Sequence, residues 1–125
     1  LKANSIKSIK LSVSAPFHCN LMNNASKKMT EELNKLSFVN SKNKLISNVT
    51  ADEISNIDDL KNLLIKQIEN RVRWRESIIK MIKYEVNHFI EIGPGKVLSG
   101  LIKRINRDVL VNTINNEEDI KNLKI

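Results

Sequence analysis

The stretch Phe89-Ile-Glu-Ile-Gly-Pro-Gly-Lys-Val-Leu98 decides the fold. A short apolar run ends at the glycines, and an apolar stripe at helical spacing then continues to Ile105. The segment Val109 to Ile114 follows and is typical of a second strand. The order strand, tight turn, helix, strand predicts two parallel strands joined by a right-handed crossover. The predicted fold class is therefore α/β.

Upstream of this unit, apolar residues recur at three- and four-residue steps and predict three more helices. One covers residues 20–36, a second opens at Asp58-Asp59, and a third carries Trp74 on its buried stripe. Acidic residues at a helix start suit the positive end of its dipole. Shorter elements are also predicted: an extended segment over 7–13, a strand over 45–50 and a last helix capped by Asn116.

Composition narrows the function classes. The 125 residues carry a net charge of +7 and a pI of about 9.6, which suits an acidic partner. The alternative interpretation is a lysine-rich surface that is merely solvated, since no run of basic residues exceeds two. Aromatic residues make up only 4% of the chain, too few for the stacking surface of a single-strand binder. No nucleic-acid partner is predicted.

The single cysteine excludes an internal disulfide and a cysteine-based metal site. No stretch of about 18 apolar residues occurs, so no membrane partner is predicted. Leu1 to Ser8 lack the apolar core of a signal peptide, and the predicted location is cytoplasmic. The sequence starts with Leu1 in place of a methionine, which is typical of a fragment.

One turn of the sequence invites a chemical interpretation. The turn Gly93-Pro94-Gly95-Lys96 resembles a phosphate loop, but Ile90 and Val97 stand where the Walker pattern needs glycine and serine or threonine. A tight strand-to-helix corner is the favoured interpretation. No Gly-x-Ser-x-Gly elbow and no His-Glu-x-x-His motif occur, so the sequence offers neither a serine nucleophile of that type nor a zinc site.

His18 is the candidate base. It follows a Pro-Phe pair and precedes a predicted helix, and α/β enzymes place functional groups in such loops. On local features alone, a lone histidine is more often a packed or surface residue. Cys19 is its neighbour, but side chains adjacent in sequence usually point apart, which counts against a Cys–His nucleophile pair.

Four segments together resemble the malonyl-CoA:acyl carrier protein transacylases. They are Leu11-Ser-Val-Ser-Ala-Pro-Phe-His18, Ser47-Asn-Val-Thr-Ala51, Leu64-Ile-Lys-Gln67 continuing through Val72-Arg-Trp74, and Phe89 through Leu98 continuing to Lys103-Arg-Ile105. The resemblance covers nearly the whole chain. It implies the carboxy-terminal part of an α/β-hydrolase-like acyltransferase domain. Residues 1–15 would end a small ferredoxin-like subdomain, and residues 16–125 would belong to the large α/β subdomain.

The resemblance also implies roles for individual residues. His18 would be the catalytic base, and the main-chain carbonyl of Gln67 would orient it, so that the Gln67 side chain matters little. Phe17 and Asn48 would lie at the substrate, with the Phe17 ring selecting malonyl over methylmalonyl groups. No metal and no cofactor is implied, because malonyl-CoA and acyl carrier protein are substrates.

The expected function is malonyl transfer in fatty-acid synthesis through an acyl-serine. The serine is not in this sequence, so the chain alone is expected to be inactive and to need the amino-terminal part of the same enzyme. Lys96, Lys103 and Arg104 are candidates for steering acidic carrier protein and CoA. The alternative from another class is a non-catalytic basic fragment that binds an acidic partner.

Overall fold

The computed structural model describes residues 13–39 and 41–123. A 3-10 turn over Asn20–Met22 leads into five helices and two strands. These are α1 (Asn23–Asn34), α2 (Ile57–Lys66), α3 (Trp74–Lys83), β1 (His88–Ile92), α4 (Val97–Ile105), β2 (Leu110–Ile114) and α5 (Glu117–Asn122). The extended segment predicted over residues 7–13 lies, except for Val13, outside the described residues. No helix in the described ranges is long and apolar enough to cross a membrane.

Strands β1 and β2 pair in parallel, with His88 opposite Leu110 and Ile92 opposite Ile114. Helix α4 connects them, since the end of β1 and the start of β2 lie at opposite ends of the pair. The α/β class and the parallel unit predicted from the sequence are confirmed.

The buried core lies where α3 and α4 pack on one face of this sheet. It contains Ile78 of α3, Phe89 of β1, Ile102 of α4 and Val109. Trp74 is partly buried against the same cluster, in agreement with its predicted place on a buried stripe. Because side chains alternate along a strand, Phe89 points to this face and Ile90 to the other.

No part of residues 13–39 or 41–123 covers the opposite face of the sheet. Ile92 is 79% exposed and Leu110 64% exposed, and Ile90 also reaches solvent. Parallel sheets are normally covered on both faces, so this apolar surface is unusual for the class.

Polar side chains cap the starts of α2 and α5. The Asn56 side chain accepts a hydrogen bond from the Asp59 amide at 2.8 Å and caps α2, with Asp58 and Asp59 in the first turn. Asn116 and Asp119 form a reciprocal capping box at the start of α5. The cap predicted at Asn116 is confirmed, whereas the cap at Asn56 was missed.

The strand predicted over residues 45–50 is wrong. Only one isolated bridge forms there, between Ile46 and Glu53, and residues 48–50 turn. The buried Ser47 hydroxyl accepts from the amides of Val49 and Thr50 at 3.1 and 3.4 Å, and the Ala51 amide donates to the Ser47 carbonyl. A hydroxyl that competes for backbone amides in this way favours a turn over a strand.

Candidate active site

His18 and Gln67 meet at the end of α2. The His18 Nδ1 atom lies 2.7 Å from the main-chain oxygen of Gln67, 49 positions along the chain. A carbonyl oxygen only accepts hydrogen bonds, so Nδ1 carries the proton in this contact and donates it. The neutral ring then has an unprotonated Nε2. That atom makes no hydrogen bond to residues 13–39 or 41–123, and His18 is exposed.

The Gln67 carbonyl is available because α2 ends there. The last carbonyls of a helix have no partner within it. The Ile68 amide bonds the Ile65 carbonyl and the Asn70 amide bonds the Lys66 carbonyl, so the chain beyond the helix satisfies those two. The Gln67 carbonyl is left to accept from His18.

The loop before α1 holds His18 in an unusual conformation. Its φ is 59°, in the left-handed region that non-glycine residues seldom adopt. Such a residue costs about 1–3 kcal/mol and is typical of functional sites. The Cys19 thiol donates to the Pro16 carbonyl at 3.1 Å and is not bonded to His18. This geometry agrees with the prediction that the two neighbouring side chains point apart.

An apolar groove of about 340 Å³ opens beside the imidazole. Its walls are the side chains of Phe17, Met22, Ala25, Met29 and Ile68. Phe17 is 57% exposed and stands directly next to His18 in the chain. The groove places an apolar surface against an imidazole with a free acceptor nitrogen.

Asn48 lies behind the pair and not in the groove. Its side-chain amide donates to Oε1 of Gln67 at 3.0 Å, so Gln67 is bonded through both its main chain and its side chain. The Asn48 carbonyl accepts from the Arg73 amide at 2.8 Å, and the Arg73 guanidinium donates to the Thr50 carbonyl at 3.0 Å.

The sequence did not reveal this network. Arg73 was not singled out as a site residue, and the Gln67 side chain was expected to matter little. The only signal was that Asn48, Gln67 and Arg73 all lie in segments that carry the family resemblance.

The glycine corner uses its polar groups internally. The Glu91 carboxylate accepts from the amides of Leu98 and Ser99 and from the Ser99 hydroxyl, at 2.6–3.1 Å. The Gly95 amide donates to the Asn115 side chain at 2.6 Å. Amides at the start of α4 that would bind a phosphate therefore already hold a carboxylate, which supports the tight-corner interpretation.

The hydrogen bonds from Ser99 hold the pKa of Glu91 below its ordinary value. The carboxylate therefore stays charged and bound to the helix start under mildly acidic conditions.

Fold and site together define an α/β protein with an imidazole oriented by a backbone carbonyl and free to accept a proton at its second nitrogen. Comparison with known proteins shows what the chain is similar to. No protein-family model matches the chain. The malonyl CoA-acyl carrier protein transacylase of Bacillus subtilis is 44% identical over 115 residues, which are 92% of this chain and 36% of that enzyme.

Solved structures give the same result. The malonyl CoA-acyl carrier protein transacylase of Clostridium perfringens superposes with a TM-score of 0.83 at 40% identity, over 91% of this chain and 36% of the other. A malonyl-transacylase in complex with a type II PKS acyl-carrier protein matches with a TM-score of 0.81 at 32% identity, over 89% of this chain and 36% of the other.

Over about 90% of its length the chain is similar to malonyl CoA-acyl carrier protein transacylases, as the sequence resemblance predicts. It spans about 36% of the length of the curated relatives it matches.

Proposed function

We propose that this chain supplies the histidine base of a malonyl-CoA:acyl carrier protein transacylase. The observation that carries the proposal is the 2.7 Å contact between His18 Nδ1 and the Gln67 carbonyl, which leaves Nε2 free to accept a proton. The relatedness to transacylases over 92% of the chain supports it. The serine nucleophile would come from a segment of the enzyme outside this sequence, and without that segment the chain would be inactive.

The chemistry follows from this geometry. A serine hydroxyl attacks the thioester carbonyl of malonyl-CoA, and His18 Nε2 takes its proton as the new oxygen–carbon bond forms. The carbon–sulfur bond breaks, and the departing CoA thiolate receives that proton. In the second half, the carrier-protein thiol gives its proton to Nε2 and its sulfur attacks the acyl-serine. Serine leaves with the proton, which restores the neutral imidazole.

Phe17 is the proposed selectivity residue. Its ring forms the wall of the groove next to His18, where the acyl group must lie for the base to reach the reacting atoms. A bulky ring at that position would crowd an α-methyl group and so favour malonyl over methylmalonyl. Asn48, which the family resemblance also implies to be near the substrate, contacts Gln67 but does not line this groove.

The remaining part of the enzyme is the proposed partner of the bare sheet face. The exposed Ile90, Ile92 and Leu110 form an apolar surface on one face of the sheet, and such faces of parallel sheets are normally covered by other elements. The relatives carry almost two-thirds of their length beyond the matched part, which is ample chain to cover it. In this proposal residues 16–125 belong to the large α/β-hydrolase-like subdomain, and residues 1–15 end the small ferredoxin-like one.

Acyl carrier protein is the proposed acceptor, as supported by the related malonyl-transacylase that binds an acyl-carrier protein. Among the three basic candidates, Lys103 has a structural task, because its ammonium group donates to the carbonyls of Arg107 and Val109 at 3.0 and 2.6 Å. Arg104 and Lys96 make no side-chain hydrogen bond or ion pair with the described part of the chain. They are therefore the better candidates for steering carrier protein and CoA.

A chimera tests the proposed function. This chain replaces the matching segment of the Bacillus subtilis transacylase, and malonyl transfer from malonyl-CoA to acyl carrier protein is measured. The chimera is expected to be active, and His18→Ala to lower its rate by about 10²–10⁴. His88→Ala is the matched control, because it removes the only other histidine of this chain. A His18→Ala rate equal to that of the control would remove His18 from the mechanism.

A further inference from the structure

We infer that Asn48 is a positioning residue for the base, acting through the side chain of Gln67. The inference rests on the proposed function of His18 and extends it. It assigns the Gln67 side chain a task that the family resemblance leaves to its main chain alone. The amide of Asn48 fixes Gln67, and the fixed Gln67 carbonyl sets the direction of the imidazole.

The two contacts to Gln67 carry this assignment. The Gln67 carbonyl accepts from His18 at 2.7 Å, and its side-chain oxygen accepts from Asn48 at 3.0 Å. Gln67 is the residue at which α2 ends, so no further helical turn holds its carbonyl in place. A hydrogen bond to the side chain of the same residue restrains rotation of the backbone that carries this carbonyl. Both Gln67 and Asn48 are partly buried, which shields their contact from competing water.

Asn48 is itself firmly held. Its carbonyl accepts from the Arg73 amide at 2.8 Å, at the start of α3. The Arg73 guanidinium holds the Thr50 carbonyl two residues further along the turn. The turn that carries Asn48 is thus anchored to α3, and α3 packs in the core through Ile78. A continuous set of contacts therefore joins the buried core to the exposed imidazole.

The chemistry of two amides allows a sharp test. Each amide is both donor and acceptor, so a carboxylate at either position still leaves one donor and one acceptor in the pair. Asn48→Asp keeps a contact if the Gln67 amide turns over, and Gln67→Glu keeps it without turning. The double variant has two acceptors and no donor. A purely steric role predicts no such pattern, because all the variants have almost the same shape.

In the chimera, each single variant is expected to lower kcat, and the double variant to fall about tenfold or more below the product of the singles. The KM for malonyl-CoA is expected to stay within about twofold, since Asn48 lies outside the groove. Asn48→Leu, which removes the donor at similar size, is expected to lower kcat about tenfold as well. If the two single effects on kcat multiply to give the effect of the double variant, the inference is overturned.

A second readout does not depend on activity. The chain has only two histidines, so long-range proton–nitrogen NMR spectra of the chain resolve the His18 tautomer, with His88→Ala as the assignment control. The parent is expected to show the Nδ1–H form, and the double variant a shift toward Nε2–H. An unchanged tautomer in the double variant would overturn the role of Asn48. An inactive parent chimera would instead remove the proposed function, and the tautomer comparison would still decide this inference.

Discussion

The glycine corner at residues 93–96 and the loop around His18 both precede a helix, but they use their polar groups in opposite ways. In the corner, the Glu91 carboxylate and the Asn115 side chain bind backbone amides that an anion would otherwise reach. In the loop, one imidazole nitrogen is bound to Gln67 and the other has no partner in the part of the chain that the structure describes. A motif whose polar groups are satisfied internally is structural, and one that leaves a single group free beside a groove is a candidate for chemistry.

The two regions also differ in the elements that flank them. The corner is itself largely exposed, but it joins β1 to α4, and both of these elements contribute buried residues to the core, whereas Phe17 and His18 lie in an exposed loop. A rigid unit can therefore hold a strained, open loop, because the cost of the left-handed His18 is met by packing elsewhere. Substitutions in the two regions are expected to change different quantities.

The largest effect on stability is expected at Ile78, which is 1% exposed at the centre of the core. Ile78→Ala should lower the free energy of unfolding by about 2–5 kcal/mol, because it removes buried methyl groups and leaves a cavity. Leu21→Ala, at a position 78% exposed beside the His18 loop, should change it by less than about 0.5 kcal/mol. Urea denaturation of both variants measures the difference, and equal losses would contradict the assigned core.

Acid should weaken the corner through Glu91. Its pKa lies below the ordinary value of 4.5, so its carboxylate stabilises the fold at neutral pH, and this contribution is lost as pH falls through the lowered pKa. Glu91→Gln should lower the melting temperature at neutral pH, and the gap to the parent should close toward acid. Other carboxylates titrate in both proteins, so only the difference reports Glu91. A difference in melting temperature that stays constant with pH would argue against a charged Glu91 carboxylate bound to the start of α4.

The smallest expected effects are at two neighbouring basic residues, one of which should change stability and the other the rate of transfer. Lys103→Met removes the donor to two carbonyls and should lower the free energy of unfolding by about 1 kcal/mol. Arg104→Met should leave stability unchanged but slow malonyl transfer to carrier protein in the chimera at low salt, and salt should erase the difference. If Arg104→Met lowered stability and Lys103→Met lowered only the rate, the roles assigned to the two residues would be contradicted.

Much of the fold was predictable because it depends on local patterns. The apolar run before Gly93 and the helical spacing in α4 predicted the parallel unit. Apolar spacing also predicted α2 and α3, and Asn116 predicted the cap of the last helix. The predicted strand at residues 45–50 failed because the sequence does not reveal that the Ser47 hydroxyl accepts hydrogen bonds from two amides of the following turn.

The candidate site was predictable only as residues, not as contacts. His18 and Gln67 were named through the family resemblance, but a hydrogen bond across 49 positions leaves no local trace in the sequence. The same holds for Asn48, whose partner is a side chain 19 positions away. The clamp by Glu91 was missed for a related reason, since an acidic residue inside a strand gives no sign that it caps the following helix.

The most direct test of the central claim is the tautomer of His18 in the unmodified chain at neutral pH. If the Gln67 carbonyl orients a base whose second nitrogen is free, long-range proton–nitrogen NMR spectra will show the proton on Nδ1. A His18 ring that carries its proton on Nε2 would contradict the account, because that nitrogen could not then take a proton from serine.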